Sequence, residues 1–289
     1  MFTAIIENAQ GETLRLTNDE NRFQVSSITG LDPPAATINS TNLALLDGAI
    51  FNSSKIGTRN IVITLRINGD IETNRLLLYS MFKTKEKCRF YFKNDSLDVY
   101  TDGYVEKVSC PIFVQSELMQ ISIICMNPYF LDMQSNRKII TNSIALFEFP
   151  FYINQNHPIA ISEFSESGTT IINNSQNDIG VVFTVIIHNP VNYVEILKNG
   201  TGEFIIVRAG GSADRFSAGD VITINTTPGN KSILLTHNGT TTNAFGKLST
   251  DSELFQLSVG ENRISYDTDY GIYENVEVIA DYRYEFRGV

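Results

Sequence analysis

The chain has 289 residues, of which 42% are apolar and 19% are charged, and its formal net charge is −10 at pH 7. This apolar fraction is enough to fill one large or two ordinary cores, which excludes an intrinsically disordered protein. The excess of negative charge disfavours nonspecific nucleic-acid binding, because phosphates are neutralised by Lys and Arg side chains.

Alternating apolar and polar residues predict β-strands through the first half of the chain. In residues 61–67 every odd position is apolar, so one face of the predicted strand is buried. Strand patterns recur at residues 90–92, 97–100 and 119–125, and Gly, Asn or Asp separates most of the runs. The first half is therefore predicted to be a β-rich domain.

One helix is predicted within this domain. Asp70 is a suitable N-cap, because its carboxylate can accept hydrogen bonds from first-turn amides. Side chains at three- and four-residue spacing then predict a mostly apolar stripe that packs on a sheet. The stripe consists of Ile71, Arg75, Leu78, Tyr79 and Phe82. Lys83, Lys85 and Lys87 follow near the expected C-terminus, where positive charge complements the helix dipole. The predicted helix covers about residues 71–85.

The chain changes character near residue 150. Pro150 cannot donate a hydrogen bond to a β-ladder, so it marks an edge or a connection. Short strands separated by turns then predict an antiparallel β-sandwich. These strands are 169–173, 181–188, 203–208, 221–225, 232–236, 255–259, 262–266 and 274–284. We predict an N-terminal domain over residues 1–135, a connecting segment over 136–154 and a C-terminal domain over 155–289.

The cysteines and the first ten residues indicate the cellular compartment in which the protein is made. Cys88, Cys110 and Cys125 are odd in number and lack metal-binding spacing, which predicts reduced thiols in a protein made in a cytoplasm. The first ten residues have neither a basic region nor a long apolar core, so no signal peptide is expected. The longest apolar runs, such as residues 144–153, are too short to span a bilayer, and no membrane partner is expected.

No catalytic, cofactor-binding or metal-binding residue is predicted. His157, His188 and His237 are scattered and form no zinc motif. Residues 210–213 lack the ending of a phosphate-binding loop and favour a hairpin turn. The acidic residues that were weighed as cation ligands lack EF-hand spacing and favour a solvated loop. They are Asp267, Asp269 and Glu274.

Carbohydrate chemistry is also disfavoured. Glu148, Glu163 and Glu166 lie near phenylalanines, but the chain contains no Trp for a sugar platform. The segment 188–191 differs from the His-x-Asn-Pro-Arg strand of galectins, because the intervening residue is missing and Val191 replaces Arg. Tyr193 is the aromatic residue that remains as a stacking group. We therefore expect a C-terminal domain that does not bind galactosides.

Several segments resemble the distal tail proteins of long-tailed bacteriophages, the baseplate-hub family. In the first half they are Asp47-Gly48 with Gly57-x-Arg59, then Gly69-Asp70, Gly103-Tyr104-Val105-Glu106 and Pro128-Tyr129-Phe130. Residues 147–151 resemble the inter-domain segment of that family. Residues 219–226, 255–266 and 282–289 resemble segments of its second domain. The order and spacing of these matches extend over nearly the whole chain.

The resemblance implies a mainly β fold, with a β-rich N-terminal domain that contains one helix and a galectin-like antiparallel β-sandwich after it. It also implies a structural protein, not an enzyme, whose copies form a ring of six around the tail channel. The implied partners are further copies of the chain, the tail tube protein, the tail-associated hub or lysin protein and receptor-binding proteins. The implied location is the virion tail tip.

Two other functions stay open at this point. The C-terminal sandwich is expected to serve as a carbohydrate-binding receptor-recognition module if the ring function is wrong. A tail-associated hydrolase is the third alternative. A glycan array distinguishes the first alternative, and peptidoglycan turnover distinguishes the second.

Overall fold

The computed structural model describes residues 2–16, 22–44, 47–112, 118–140, 143–145, 162–164, 168–211, 214–269 and 273–289. The chain divides into two compact units. Unit 1 contains Met1–Met133 and Glu285–Val289, and unit 2 contains Gln134–Tyr284. Each unit is mainly β, and a single α-helix lies in unit 1 among the described residues, which confirms the predicted fold class.

Unit 1 begins with ten strands and the helix. They are β1 (Thr3–Glu7), β2 (Thr13–Arg15), β3 (Phe23–Thr29), β4 (Ala36–Asn42), β5 (Ala49–Ile56), β6 (Arg59–Ile67), α1 (Ile71–Met81), β7 (Lys87–Lys93), β8 (Asp98–Ser109), β9 (Leu118–Cys125) and β10 (Phe130–Asp132). The main sheet has the order β2-β1-β7-β8-β9-β6-β3 with antiparallel neighbours, and β10 pairs with β8. Strands β4 and β5 form a separate hairpin.

The core of unit 1 follows from the alternation along its strands. The odd positions of residues 61–67 are buried, as predicted, and every one of them has at most 4% of its surface exposed. They pack with alternate residues of β1, β7, β8 and β9 and with apolar residues from α1 in one cluster. Burial of each large apolar side chain contributes about 1.5–3 kcal/mol, so this cluster dominates the stability of the unit.

Helix α1 is shorter than predicted, and its buried face differs. Asp70 is the N-cap, as predicted, because its Oδ1 accepts from Thr73 N at 3.3 Å. Leu78 and Phe82 of the predicted stripe are buried, but Ile71 and Tyr79 are more than a third exposed. The buried helical residues are Asn74, Leu78 and Met81. The sequence did not indicate Asn74 as buried, and it is tolerated there because its Nδ2 donates to Asn68 O at 2.8 Å.

The predicted lysine cap of α1 is wrong. The helix ends at Met81, and its last turn contains no basic residue. Lys85 has a φ of +73°, so the chain is turning toward β7 at that point. Lys87 belongs to β7, where its Nζ lies 3.0 Å from Asp102 Oδ2. These lysines therefore serve the turn and the sheet and do not neutralise the helix dipole.

Unit 2 is an antiparallel sandwich. Its strands are β11 (Asn136–Ile140), β12 (Ser143–Ala145), β13 (Ser162–Phe164), β14 (Thr169–Asn173), β15 (Val181–Ile187), β16 (Tyr193–Asn199), β17 (Glu203–Arg208), β18 (Val221–Asn225), β19 (Ser232–His237), β20 (Thr240–Asn243), β21 (Gly260–Thr268) and β22 (Val276–Tyr282). One sheet has the order β11-β22-β15-β18-β19-β20 and the other β14-β21-β16-β17. One apolar cluster contains residues from both sheets.

Strands β11, β12, β13, β16 and β20 of unit 2 were not predicted, and one predicted strand is absent from the described residues. Strand β16, in the interior of the four-stranded sheet, was not predicted, because the buried position Lys198 interrupts its apolar alternation. Lys198 is tolerated because its Nζ pairs with Glu203 Oε2 at 2.8 Å. Residues 255–259 form no strand. Phe255 instead fills the core, and Leu257 makes an isolated bridge to Ile179.

The chain returns to unit 1 after unit 2. Strand β23 (Glu285–Phe286) pairs with β10 and thereby joins the sheet of unit 1. Residues 285–289 had been assigned to the C-terminal domain, and residues 136–140 to the connecting segment. In the structure residues 285–289 are part of unit 1, and residues 136–140 form β11 of the six-stranded sheet. Whether the two units fold independently stays a prediction.

Some predictions fall outside the described residues. These include Pro150, the segment 147–151, Glu148, His157, Glu166 and residues 212 and 213 of the predicted hairpin turn. Glu163 lies in β13, for which the backbone alone is described. Around residues 212 and 213, Gly211 N donates to Asp214 Oδ2 at 2.8 Å and Asp214 N donates to Gly211 O at 2.9 Å.

Candidate functional site

His188, His237 and the acidic residue Glu274 form no metal centre with the other residues that the structure describes. His188 Nε2 lies 3.6 Å from Glu277 Oε2, and His237 Nδ1 lies 2.6 Å from Asp220 Oδ1, so each histidine has a single carboxylate neighbour. Glu274 lies in a short 3-10 turn before β22. Among the residues that the structure describes, no group of three or more His, Cys, Asp or Glu side chains is placed to hold a metal ion.

The other acidic residues and Tyr193 are engaged in local structure. Asp267 Oδ1 accepts from the next backbone N–H at 2.8 Å, and Asp269 Oδ2 accepts from Asn192 N at 2.6 Å. The guanidinium carbon of Arg208 lies 5.5 Å from the ring centroid of Tyr193. Burial and then the nearby acidic residues raise the pKa of Tyr193. Arg208 therefore lies over one face of the Tyr193 ring as a cation–π partner.

A shallow depression of about 300 Å³ lies on the sheet of unit 1. Within it, Tyr91 donates its hydroxyl hydrogen to Glu7 Oε2 at 2.5 Å, and Lys93 Nζ pairs with Asp98 Oδ2 at 2.6 Å. Its charged groups therefore pair with one another, and this arrangement is typical of a polar sheet surface. No helix in the described part of the chain is long and apolar enough to cross a membrane.

The hairpin of β4 and β5 is the most exposed element of unit 1. We call residues 36–56 the arm. All residues of β4 are exposed, and in β5 all residues except Ile56 are exposed. Among them, Ile38, Ile50 and Phe51 expose 66%, 52% and 62% of their surface. Large apolar side chains at this exposure and proximity mark an interaction surface.

The register of the arm places Ile38 and Phe51 on one face. Ser40 pairs with Phe51, and Ile38 lies two residues before Ser40 in the same strand. The opposite face is tied together by side-chain hydrogen bonds, because Asn39 Nδ2 donates to Ser53 Oγ at 3.0 Å. One face of the arm therefore carries Ile38 and Phe51, and the other carries small polar side chains together with Ile50, which pairs with Thr41.

The arm is almost uncharged in a strongly negative chain. Residues 36–56 contain one acid, Asp47, and one base, Lys55, whereas the whole chain carries −10. An isolated two-stranded hairpin is at best marginally stable in water, since it has too few neighbours on which to bury apolar surface. A partner that covers the apolar face would supply that burial. Like-charge repulsion would be weakest at this surface.

Helix α1 adds further exposed apolar side chains to unit 1. Leu76 and Leu77 expose 58% and 44% of their surface, and neither is among the buried residues of the helix. Leucines at such positions do not stabilise the isolated unit through burial. The helix therefore offers a second apolar surface in the same unit as the arm.

Arg59 is the functional residue for which the sequence gave the least indication. It begins β6, and 3% of its surface is exposed. Its Nε donates to Pro128 O at 2.6 Å, and its Nη1 donates to Gly30 O at 2.5 Å and Asp32 O at 2.8 Å. Its Nη2 donates to Arg287 O. The single signal in the sequence was its place in the Gly57-x-Arg59 segment.

The surroundings of Arg59 explain how a guanidinium is tolerated at this depth. The ring of Phe130 lies under the guanidinium, with 4.4 Å from Cζ to the ring centroid. Burial lowers the pKa of Arg59 from its ordinary value, while nearby Cys125 and Asp32 raise it. Four carbonyl oxygens and an aromatic face together compensate the lost hydration of the cation.

Two family models match the chain. The model described as a phage tail protein RIFT-related domain matches residues 10–125. The model described as the C-terminal domain of a siphovirus-type tail component matches residues 174–284. The first match lies within unit 1 and the second within unit 2, in the order along the chain that the family resemblance implied. A comparison with curated protein sequences gives no significant match.

Solved structures show the same fold at low sequence identity. The Dit protein of phage SPP1, described as a paradigm of the hub adsorption apparatus in phages that infect Gram-positive bacteria, is 12% identical with a TM-score of 0.69 over 99% of both chains. A chain of the phage P2 baseplate in its activated conformation with Ca is 12% identical with a TM-score of 0.54 over 100% of both chains. A chain of the same baseplate with Sr is 12% identical with a TM-score of 0.50, and the match covers 97% of this chain and 98% of that one.

The two tail-component models together account for most of both units, and the fold extends over the whole length of the SPP1 protein. The chain therefore belongs to the siphovirus-type tail component family, the distal tail (Dit-like) proteins of phage baseplates.

Proposed function

We propose that this chain is the structural hub subunit of a phage tail baseplate, whose copies form a ring that joins the distal end of the tail tube to the tail tip and host-adsorption apparatus. The observation that carries the proposal is the exposed, nearly uncharged arm in a chain of the tail-component family. The role is assembly and not catalysis. The protein acts within the virion tail and is made in the cytoplasm of the bacterial host.

The arm binds a second copy of the chain. Each copy carries −10, so copies repel one another over most of their surface. The arm avoids this repulsion because its charges are limited to Asp47 and Lys55, and it brings Ile38 and Phe51 to the contact. A contact between the arm and a different surface of the next copy is heterologous, and such contacts generate a closed ring when the rotation closes. Six copies complete the ring.

Other tail proteins complete the assembly. The tail tube protein and the tail-associated hub or lysin protein bind the ring, and receptor-binding proteins attach around it. Unit 2 acts as a spacer or docking surface for these proteins. Support for this role comes from the contact of Arg208 with Tyr193, which occupies one face of the aromatic ring that a galactoside would need for stacking.

The test compares self-association of the full chain with that of two double variants. Ile38→Ser with Phe51→Ser removes the apolar face of the arm, and Ile172→Ser with Val259→Ser removes two similarly exposed apolar side chains of unit 2. Light scattering and negative-stain images should show rings for the parent and the control but monomers for the arm variant. Ring formation should weaken at low salt, where the Debye length is roughly 30 Å at 0.01 M.

The proposal is wrong if the parent stays monomeric at high protein concentration across the salt series. It is also wrong if the arm variant forms rings as well as the parent does. Circular dichroism of each variant should match the parent, because the substituted side chains are exposed and removing them leaves the core unchanged.

A further inference from the structure

We propose that Arg59 and residues 285–289 form a clasp that fixes the root of the arm, and that this clasp positions the arm for its contact with the next copy. We call residues 30–33 the root, because they lead directly into β4. The inference rests on the proposed role of the arm in assembly. It adds a second requirement, namely that residues after unit 2 must be in place before the arm is correctly directed.

The first half of the clasp is the guanidinium of Arg59. Its Nη1 reaches two carbonyls of the root, Gly30 O at 2.5 Å and Asp32 O at 2.8 Å. Its Nη2 reaches Arg287 O, and its Nε reaches Pro128 O at 2.6 Å. A planar fork with five donors can hold three separate segments at fixed angles, whereas the ammonium of lysine is a compact charge without that geometry.

The second half of the clasp is the segment 285–289. Val289 N donates to Leu31 O at 3.1 Å, so the segment bonds directly to the root. Gly288 lies against the root so closely that an added Cβ would be 3.0 Å from Pro33 Cδ and 3.1 Å from Leu31 O. Phe286 and Val289 pack against the core of unit 1, which anchors the segment. The root is therefore held between Arg59 and the last residues of the sequence.

The opposite side of the root is also fixed. Gly30 has a φ of +84°, and a Cβ there would lie 2.0 Å from Asn60 O, so the backbone of the root contacts the backbone of β6. The arm itself makes few contacts, since nearly all of its residues are exposed. Its direction is therefore set at the root, and the clasp is the structure that holds the root in place.

Distance measurements between spin labels test the direction of the arm. The parent carries Cys110→Ser, with labels at Ser54→Cys in the arm and Ser96→Cys in the β7–β8 turn, both exposed positions. Cys88 and Cys125 are buried and stay unlabelled in the folded protein. Labelled chain is diluted with unlabelled chain, so that the distances within one copy are measured.

Two variants open the clasp, and one controls for stability. Arg59→Lys keeps the charge and loses the fork, and a chain ended at Tyr284 removes the second half. Ile121→Val removes one methylene group from the core of unit 1 at a position that is not part of the root. We expect a narrow distance distribution in the parent and the control and a broad one in both clasp variants. The protein concentration for half-assembly should rise by about tenfold or more in the clasp variants, because a mobile arm must be ordered on binding.

Unchanged distance distributions in both clasp variants would overturn the inference. Broad distributions together with ring formation equal to that of the parent would also overturn it, since the clasp would then not serve assembly. If the parent forms no rings but the distance distributions of the clasp variants are still broad, the proposed function is wrong, whereas the inference that the clasp positions the arm is supported. If Arg59→Lys does not fold, the truncated chain still decides, because Arg59 keeps its bonds to Pro128, Gly30 and Asp32 there.

Discussion

Gly30 and Gly11 have almost the same backbone conformation in different surroundings. Their φ values are +84° and +83°. An added Cβ at Gly30 would lie 2.0 Å from Asn60 O, whereas at Gly11 no atom lies within 4 Å. At the residue scale, the pair separates the effect of left-handed backbone from the effect of close packing.

We predict that Gly30→Ala destabilises unit 1 much more than Gly11→Ala does. Gly11→Ala should lower the free energy of unfolding by about 1–2 kcal/mol, since this is the cost of left-handed backbone for an L-residue. Gly30→Ala should lower it by about 1–3 kcal/mol more, because the root must move away from Asn60. Denaturant unfolding of both variants measures the difference, and equal midpoints would show that the root is not tightly packed.

Cysteine reactivity gives a second prediction at this scale. Cys110 is partly exposed, whereas Cys88 and Cys125 are buried. Burial raises the pKa of Cys88 to about 12 and also raises that of Cys125. Alkylation needs the thiolate, so at pH 8 the folded protein should take one label, and the denatured protein should take three.

Intact mass after alkylation without reductant measures these labels. In Cys110→Ser the folded protein should take none, which identifies the reactive thiol. A mass that lacks labels after denaturation would indicate a disulfide and would contradict the prediction of three reduced cysteines.

At the scale of elements, strand β16 and strand β21 bring two acids together. Glu195 lies directly opposite Asp267 in the antiparallel register. Burial, and then the charge of Asp267, raise the pKa of Glu195. A carboxylate whose pKa is higher in the folded state stabilises the fold fully below its unfolded-state pKa, and this stability is lost as the pH rises through the folded pKa.

Glu195→Gln should therefore stabilise unit 2 near pH 7 and have little effect near pH 4. The gain should be about 0.2–1 kcal/mol, the size of one cross-strand pair. Thermal unfolding of the variant at both pH values tests this expectation. The control is Glu261→Gln, which replaces an exposed acid on β21, the strand of Asp267, at a position opposite Ile172. An equal gain from the control, or a gain that persists at pH 4, would contradict the explanation.

The elements that could be predicted are those whose pattern depends on burial alone. The alternation at residues 61–67 and the Asp70 cap are confirmed because local spacing determines them. Strand β16 was not predicted because Lys198 occupies one of its buried positions. Its partner Glu203 lies on β17, and the two side chains are brought together when the β16–β17 hairpin forms. The exposure of the arm was not predictable, because residue type alone does not indicate whether Ile38, Ile50 and Phe51 have neighbours to pack against.

At the scale of the whole molecule, the strand before unit 2 (β10) pairs with the strand after it (β23), and both belong to unit 1. Arg59 could not be predicted as a clasp, because all four of its carbonyl partners are distant in the sequence, from Asp32, 27 residues away, to Arg287, 228 residues away. Every residue has a backbone carbonyl, so a hydrogen bond to a carbonyl does not require a particular residue type. Sequence patterns therefore do not indicate such partners. The composition changes near residue 150, but it does not indicate the return of residues 285–289 to unit 1.

We predict that brief proteolysis cuts the chain between residues 131 and 155 and that the fragments stay together under native conditions. They should separate on a denaturing gel but co-elute in gel filtration, because both β10 with β23 and β11 with β22 pair strands from the two sides of the cut. The uncut chain is the control and should elute at the same volume. Preferred cutting within residues 60–125, or separation of the fragments in gel filtration, would contradict the prediction.

The position of β23 also fixes an order of events during synthesis. Unit 1 lacks β23 until Glu285 has been added, although its first 133 residues leave the ribosome before unit 2 does. At about 5–20 residues per second, the intervening segment takes on the order of ten seconds to make. During that time the nascent chain holds an unfinished sheet and an arm without its clasp. Chains that stop within unit 2 would thus be excluded from the baseplate by their own geometry.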